Sequence, residues 1–106
     1  MQSTIYASAA RTATPTAAIV NARNYTALRV VLDATAVTSA PSVVLTIDVQ
    51  DAASGKFVNV YTSSAIATVS TNVSTLVQGL SGNVRITATH GNANSITYSL
   101  AAHWTR

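Results

Sequence analysis

The stretch that decides the fold runs from residue 43 to residue 61 and reads Val43-Val-Leu-Thr-Ile-Asp-Val-Gln50, Asp51-Ala-Ala-Ser-Gly-Lys56, Phe57-Val-Asn-Val-Tyr61. In its first part apolar residues alternate with mostly polar ones, which is the period of a strand with one buried face. The middle part contains Gly55 and other turn-forming residues, and the last part is again rich in β-branched and aromatic residues. The stretch therefore predicts a β-hairpin.

Alternation of the same kind continues on both sides of this hairpin. Residues 25–34 place Leu28, Val30 and Leu32 on one face, and residues 84–90 and 96–104 form a second hairpin around the turn at 91–94. Shorter β-rich runs occupy residues 3–9, 17–22, 65–70 and 73–77. About seven to nine short strands without a helical period predict an all-β fold, a single antiparallel β-sandwich or jelly-roll-like domain.

The N-terminal segment is rich in alanine, which on its own favours a helix. Thr12, Thr14 and Thr16 interleave with the alanines, and Pro15 stands among them, so a helix is opposed there. We interpret residues 1–24 as an extended N-terminal arm and edge strand, and residues 25–106 as the sandwich core of the same domain. An extended arm over residues 1–11 can add to a neighbour's sheet, and its deletion is expected to leave the domain folded but weaken attachment to a partner.

Charge is scarce in this chain of 106 residues, of which 8% are charged and none is cysteine. The cations are scattered singly, so no basic run follows a phosphate backbone or an anionic membrane, and we expect neither nucleic acid nor membrane as a partner. The N-terminus lacks the pattern of a secretion signal, which predicts a protein made in the cytoplasm. Low charge repulsion permits contact between copies, so assembly is expected.

Candidates for catalysis and metal binding are few. A Ser-His-Asp set would have to use His90 or His103, but the chain has no Gly-x-Ser-x-Gly element to present the serine. Asp48 and Asp51 form the one close pair of acids, and capping of the turn explains them better than glycoside hydrolysis. Three converging metal ligands are not apparent, and we interpret His90 as structural. The sequence thus predicts no enzyme, no cofactor and no metal.

The aromatic residues separate into two groups. Tyr98 and Trp104 share the inward positions of the last strand and are expected to fill the core. Tyr25 and Tyr61 lie opposite the apolar rows of their strands, which leaves them either exposed as anchors for a partner or partly buried under a loop. The residues proposed as partner contacts are Tyr6, Arg11, Tyr25, Arg29 and Tyr61.

Several pieces of the chain together resemble a known class of viral proteins. The pieces are Val30-Val-Leu-Asp-Ala-Thr-Ala-Val-Thr38, Pro41-Ser-Val-Val-Leu-Thr-Ile-Asp-Val-Gln-Asp51, Ala53-Ser-Gly-Lys-Phe57, Val84-Arg-Ile-Thr-Ala-Thr-His90 and Ser95-Ile-Thr-Tyr-Ser99. This succession, which covers residues 25–104, resembles the small capsid decoration, or cement, proteins of tailed bacteriophages and related minor virion structural proteins.

The resemblance implies a β-sandwich or jelly-roll domain that sits as a homodimer or homotrimer on the outer surface of the capsid. Its partners would be the major capsid protein and other copies of itself, and its location would be the virion. Two alternatives stay open. One is a tail or head-tail connector component, which requires a ring of fixed symmetry. The other is a carbohydrate-binding β-sandwich module, which predicts Tyr25 or Tyr61 on an open face.

Overall fold

The computed structural model describes residues 2–22, 25–73, 77–78 and 82–105, and these form strands and connecting segments without a helix. Within these residues nine strands follow one another. Their bounds are β1 Gln2–Arg11, β2 Ala18–Asn21, β3 Ala27–Val37, β4 Val43–Gln50, β5 Phe57–Thr62, β6 Ser70–Val73, β7 Val77–Gln78, β8 Asn83–His90 and β9 Ile96–Thr105.

The strands pair into two antiparallel sheets that pack into a sandwich. One sheet, here called the front sheet, has the order β1-β9-β3-β6, and β7 also pairs with β3. The other, the back sheet, has the order β2-β8-β4-β5. Both β6 and β7 pair with β3 and can be counted as one position in the front sheet. The two sheets then have the strand order of a jelly roll, which consists of two Greek keys. The predicted antiparallel, jelly-roll-like sandwich is confirmed.

The core lies between the two sheets and follows from the alternation in the sequence. In β4 the buried residues Val43, Leu45 and Ile47 face the front sheet, and every second residue of β9 from Ile96 to Trp104 is buried from the other side. Tyr98 is fully buried and Trp104 is 9% exposed, so their predicted inward orientation is confirmed. Burial of this apolar area is the main stabilising contribution in such a domain.

The hairpin between β4 and β5 closes as the sequence predicts. Gly55 has a φ of 74°, a left-handed conformation that glycine adopts without steric cost. The Asp51 carboxylate accepts hydrogen bonds from the Ser54 backbone N–H at 3.1 Å and from the Ser54 hydroxyl at 2.7 Å. These bonds hold the pKa of Asp51 below its usual value. The interpretation of Asp51 as a turn-capping residue is confirmed.

The N-terminal residues belong to the sandwich. Seven residues of β1, from Gln2 to Arg11, pair with β9, with two irregularities in register. Because β9 would otherwise form the edge of the front sheet, β1 completes the sheet, and it is an edge strand over its whole described length. The edge-strand part of the interpretation of residues 1–24 agrees with this pairing, whereas the pairing argues against the expectation that residues 1–11 can be deleted without unfolding the domain.

The prediction of a strand over residues 65–70 is wrong except at Ser70. Residues 65–69 form no strand, and Ile66 makes a single β-bridge to Val43 before β6 begins at Ser70. The physical reason is topological: at this point the chain crosses from the back sheet to the front sheet. Ile66 is buried where the chain passes over the core, whereas Val69 is 58% exposed.

Candidate interaction surfaces

The five residues proposed as partner contacts lie at different places and do not form one surface. Tyr6 and Arg11 lie near each other on β1, while Tyr25 and Tyr61 are half-buried and pack against the core. Tyr25 lies before β3 and its ring centre is 6.0 Å from that of Trp104. Arg29, on β3, is the exposed member of the set. Tyr25 and Tyr61 therefore follow the partly buried alternative.

Arg11 is the centre of a cluster at one end of the sandwich, here called the Arg11 cluster, formed by Tyr6, Arg11, His90 and Tyr98. Its guanidinium donates hydrogen bonds to the backbone carbonyls of Tyr98 at 2.7 Å, Ala7 at 2.9 Å and Ala9 at 3.0 Å. The guanidinium carbon also lies 4.8 Å from the centre of the Tyr98 ring and 5.4 Å from that of Tyr6. Arg11 therefore ties β1 to β9, and its role as a partner contact stays a prediction.

The connection between β1 and β2 closes over the Arg11 cluster. The Tyr6 hydroxyl donates a hydrogen bond to the carbonyl of Thr16. The hydroxyl of Thr14 accepts a hydrogen bond from the backbone N–H of His90 at 2.8 Å. These bonds fix the segment that carries the chain from the front sheet to the back sheet, and Tyr6 is consequently a packing residue of the cluster.

His90 has the structural role that the sequence predicts. Its Nε2 atom lies 3.0 Å from the hydroxyl of Tyr98. Burial, with a further contribution from the charge of Arg11, lowers the pKa of His90 below its usual value. Burial also raises the pKa of Tyr98. The protonated form of His90 is thus disfavoured in the folded state.

We expect the domain to lose stability as the pH falls below about 6.5, the pKa of an unperturbed histidine. The unfolded chain takes up a proton on His90 at a pH where the folded chain does not, so acid favours the unfolded state until the folded pKa is passed. Thermal unfolding between about pH 7 and about pH 5, above the range in which aspartates titrate, measures this effect. In His90→Gln the unfolding temperature is expected to depend less on pH, and in the control His103→Gln it is expected to depend on pH as in the unaltered protein. An unchanged pH dependence in His90→Gln would contradict the role given to His90.

The outer face of the back sheet carries an ion pair that the sequence analysis missed. Asp48 on β4 and Arg85 on β8 are register partners, and both Nε and Nη2 of Arg85 donate to one oxygen of Asp48, at 3.1 and 3.0 Å. Asn59 donates to the other oxygen at 3.1 Å, and the Arg85 guanidinium lies 4.5 Å from the centre of the Phe57 ring. Asp48 is only 9% exposed, so it stabilises this face and does not cap the turn.

Hydrogen bonds connect two loops at the Arg11 end of the sandwich. Asn92 and Asn94 both donate to the carbonyl of Ala40, at 3.0 and 3.1 Å, and the backbone N–H of Gly91 donates to the carbonyl of Ser42. These bonds join the β3–β4 loop to the β8–β9 loop. The end is therefore a fixed surface of small, mostly uncharged residues.

A polar cavity of about 190 Å³ opens at the opposite end of the sandwich. Its lining comes from the end of β2, the β4–β5 turn and the start of β8, and three of its residues carry side-chain amides: Asn21, Gln50 and Asn83. The Gln50 amide donates to the carbonyl of Gly55 at 3.1 Å, so the turn itself helps to shape the cavity.

The part of the chain that the structure describes contains no cluster of potential metal ligands. There, no three His, Asp or Glu side chains lie close enough together to hold a metal ion. Asp48 and Asp51 are engaged in the separate contacts given above. Among the same residues, no helix has the length and apolarity of a membrane span.

Comparison with known proteins finds no family model, no characterised protein and no solved structure that matches this chain.

Proposed function

We propose that this protein is a non-enzymatic virion structural protein of a tailed bacteriophage, which binds the outer surface of the capsid and cements neighbouring capsomers. Its partners are the major capsid protein and further copies of itself. The protein is synthesised in the host cytoplasm and is incorporated into the virion. The proposal rests on the resemblance of residues 25–104 to decoration proteins, and the jelly-roll order of the strands is the structural observation that supports it most.

The fold supplies what such a role requires. A decoration protein needs a rigid body and broad faces for contact, because it acts by holding neighbouring shell subunits together. Here both sheets carry exposed residues on their outer faces, such as Arg29 on the front sheet and Ile19 on the back sheet, and hydrogen bonds join the loops at the Arg11 end. Many copies on one shell add their individual contacts, so weak binding at each position gives a large total stabilisation.

Binding to empty shells tests the proposal. Expanded heads assembled without this gene are mixed with the purified protein, and the bound amount is measured after sedimentation. We expect saturable binding that ends at a simple ratio to the shell subunit, with unlabelled protein competing and the heat-unfolded protein not binding. Absence of saturable binding to expanded heads would overturn the proposal.

A carbohydrate-binding module is the second candidate, and the polar cavity is the observation that favours it. Side-chain amides are suitable donors and acceptors for sugar hydroxyls, and three of them line this cavity. Tyr25 and Tyr61 do not form an open aromatic platform for a sugar, because both pack against the core. Saturable binding to a glycan array, lost in Asn83→Ala, would support this candidate over the first.

A further inference from the structure

Strand β5 forms one edge of the back sheet, and in the described part of the chain it pairs with β4 alone. Two of its side chains are apolar and exposed, Val58 to 55% and Val60 to 50%. Val58 shares the core-facing side of the sheet with its register partner Val49, which is only 8% exposed, so Val58 lies at the rim of the sandwich. An apolar strand edge of this kind is a template for another extended chain.

The backbone of β5 presents hydrogen-bonding groups on the side away from β4. Beside the turn, the N–H of Asp51 donates to the carbonyl of Lys56 at 2.7 Å, so these two residues form a hydrogen-bonded pair. Hydrogen-bonded and non-hydrogen-bonded pairs alternate in an antiparallel ladder, and the pairs that Phe57 and Asn59 make with β4 are therefore of the non-hydrogen-bonded kind. The backbone N–H and C=O groups of Phe57 and Asn59 consequently point outward from the sheet edge.

Side-chain contacts hold this edge in one conformation. The Asn59 amide donates to the carboxylate of Asp48 and to the carbonyl of Tyr61, both at 3.1 Å, and so spans the irregularity in register that follows Asn59. The ring of Phe57 lies 4.5 Å from the guanidinium carbon of Arg85. A partner chain thus meets an edge that is already formed, and binding does not have to order it.

The other edge strands are protected in ways that β5 is not. The strands β2, β6 and β7 have only four, four and two residues. Strand β1 is longer, but its register with β9 shifts twice, and the Arg11 guanidinium covers the carbonyls of Ala7 and Ala9. Short length, irregularities and a cation are devices that prevent further pairing. Strand β5 has six residues, one irregularity, and neither a charge nor a proline, so it is the edge most open to another strand.

The charges around β5 favour a segment of another protein over a second copy of this chain. The formal net charge of +3 opposes the approach of a second copy and favours an acidic surface. The exposed Lys56 directly precedes β5. A strand that adds antiparallel to β5 places its C-terminal end beside Lys56, where an acidic side chain is complementary. The complementary segment is therefore uncharged along its middle, apolar at alternate positions and acidic near its C-terminal end.

We propose that the outer edge of β5 is the docking site for an extended segment of the shell protein, which adds to the back sheet as a further antiparallel strand. Main-chain hydrogen bonds to Phe57 and Asn59 hold the segment, and its apolar side chains cover Val58 and Val60. The assignment of the segment to the shell protein rests on the proposed function.

Binding of variants to expanded heads, measured by the sedimentation assay described above, tests this edge. Phe57→Pro removes the outward N–H at the first residue of the strand, where proline leaves the ladder with β4 intact. Phe57→Ala is the matched control, because it removes the same ring but keeps the N–H. We expect Phe57→Pro to bind about tenfold more weakly than Phe57→Ala, as the loss of one main-chain hydrogen bond implies.

A second pair of variants tests the apolar side chains of the edge. Val58→Lys introduces a charge at the edge, whereas Val69→Lys introduces the same charge at a valine of nearly equal exposure, 58% against 55%, on the connection between β5 and β6. We expect Val58→Lys to weaken binding to the heads and Val69→Lys to leave it unchanged. Circular dichroism of all four variants verifies the fold.

The outcomes separate the docking site from the proposed function. If the unaltered protein saturates the heads and both edge variants bind as tightly as their controls, the docking site is overturned and the proposed function stands. If the unaltered protein does not bind, the proposed function is overturned, and the shell segment as occupant with it. Sedimentation velocity of the free protein gives a third result, because a dimer that Phe57→Pro converts to a monomer would assign the edge to a second copy and contradict the proposal.

Discussion

Replacing Tyr98 with alanine is expected to lower the free energy of unfolding by about 3–5 kcal/mol, the range measured when a large buried aromatic side chain is removed. Tyr98 is fully buried, and it contacts three parts of the fold at once. Its ring lies beneath the Arg11 guanidinium, its hydroxyl contacts His90, and its position on β9 places it in the core between the sheets. Chemical denaturation with a fluorescence or circular dichroism readout measures the loss.

Tyr98→Phe is the matched control because it keeps the ring and removes only the hydroxyl. We expect it to cost about 1 kcal/mol, the usual net value of one hydrogen bond. If Tyr98→Phe destabilises the domain as much as Tyr98→Ala does, packing of the ring is not the main contribution of Tyr98 to stability.

Deletion of residues 1–11 is expected to abolish cooperative unfolding at ordinary temperature. The deletion removes β1, leaves one side of β9 without a partner strand, and takes away both Tyr6 and Arg11 from the Arg11 cluster. A small domain is stable by only about 5–15 kcal/mol, so the loss of a ten-residue strand is of the same order as its whole stability. Far-ultraviolet circular dichroism and a thermal unfolding curve measure the result.

The variant Arg11→Leu distinguishes the contribution of strand β1 to stability from that of the Arg11 guanidinium. It keeps β1 and a side chain of moderate size, but removes three hydrogen bonds to carbonyls and two contacts with aromatic rings. We expect a loss of about 2 kcal/mol with unfolding still cooperative. A truncated chain that unfolds cooperatively with near-normal stability would show that β1 is dispensable, as a detachable arm would be.

The fold was predictable because the strands of the core alternate regularly. In β4, β8 and β9 every second residue is apolar, so the inward positions of Ile47, Ile86 and Tyr98 follow from the sequence alone. The β4–β5 turn was predictable for a similar reason, since Asp51 and Gly55 act through local bonds and backbone conformation. Both kinds of inference use only residues that are close together in the chain.

The orientation of two aromatic residues was not predictable, because alternation is interrupted near each. The register between β4 and β5 shifts at Ile47 and Asp48, so that Val60 is an extra residue and Tyr61 turns toward the core. Tyr25 lies outside β3, which begins at Ala27, and the alternation of that strand does not extend to it.

The contacts between distant strands were also beyond sequence reasoning. Asp48 and Arg85 meet because β4 and β8 are neighbours in the back sheet, although they are 37 residues apart. Arg11 reaches Tyr98 across 87 residues for the same reason. The sequence shows which residues on two strands share a face and could contact each other. The strand order in the sheet decides which of these contacts form.

The copy number of this protein in purified particles tests the central claim most directly. Quantitative mass spectrometry of the virions encoded by the genome that carries this gene gives its ratio to the major capsid protein. The proposed function predicts hundreds of copies per particle, in a simple ratio to the shell subunit. About six or twelve copies would place the protein in a connector or tail, and its absence from the particle would contradict a virion role altogether.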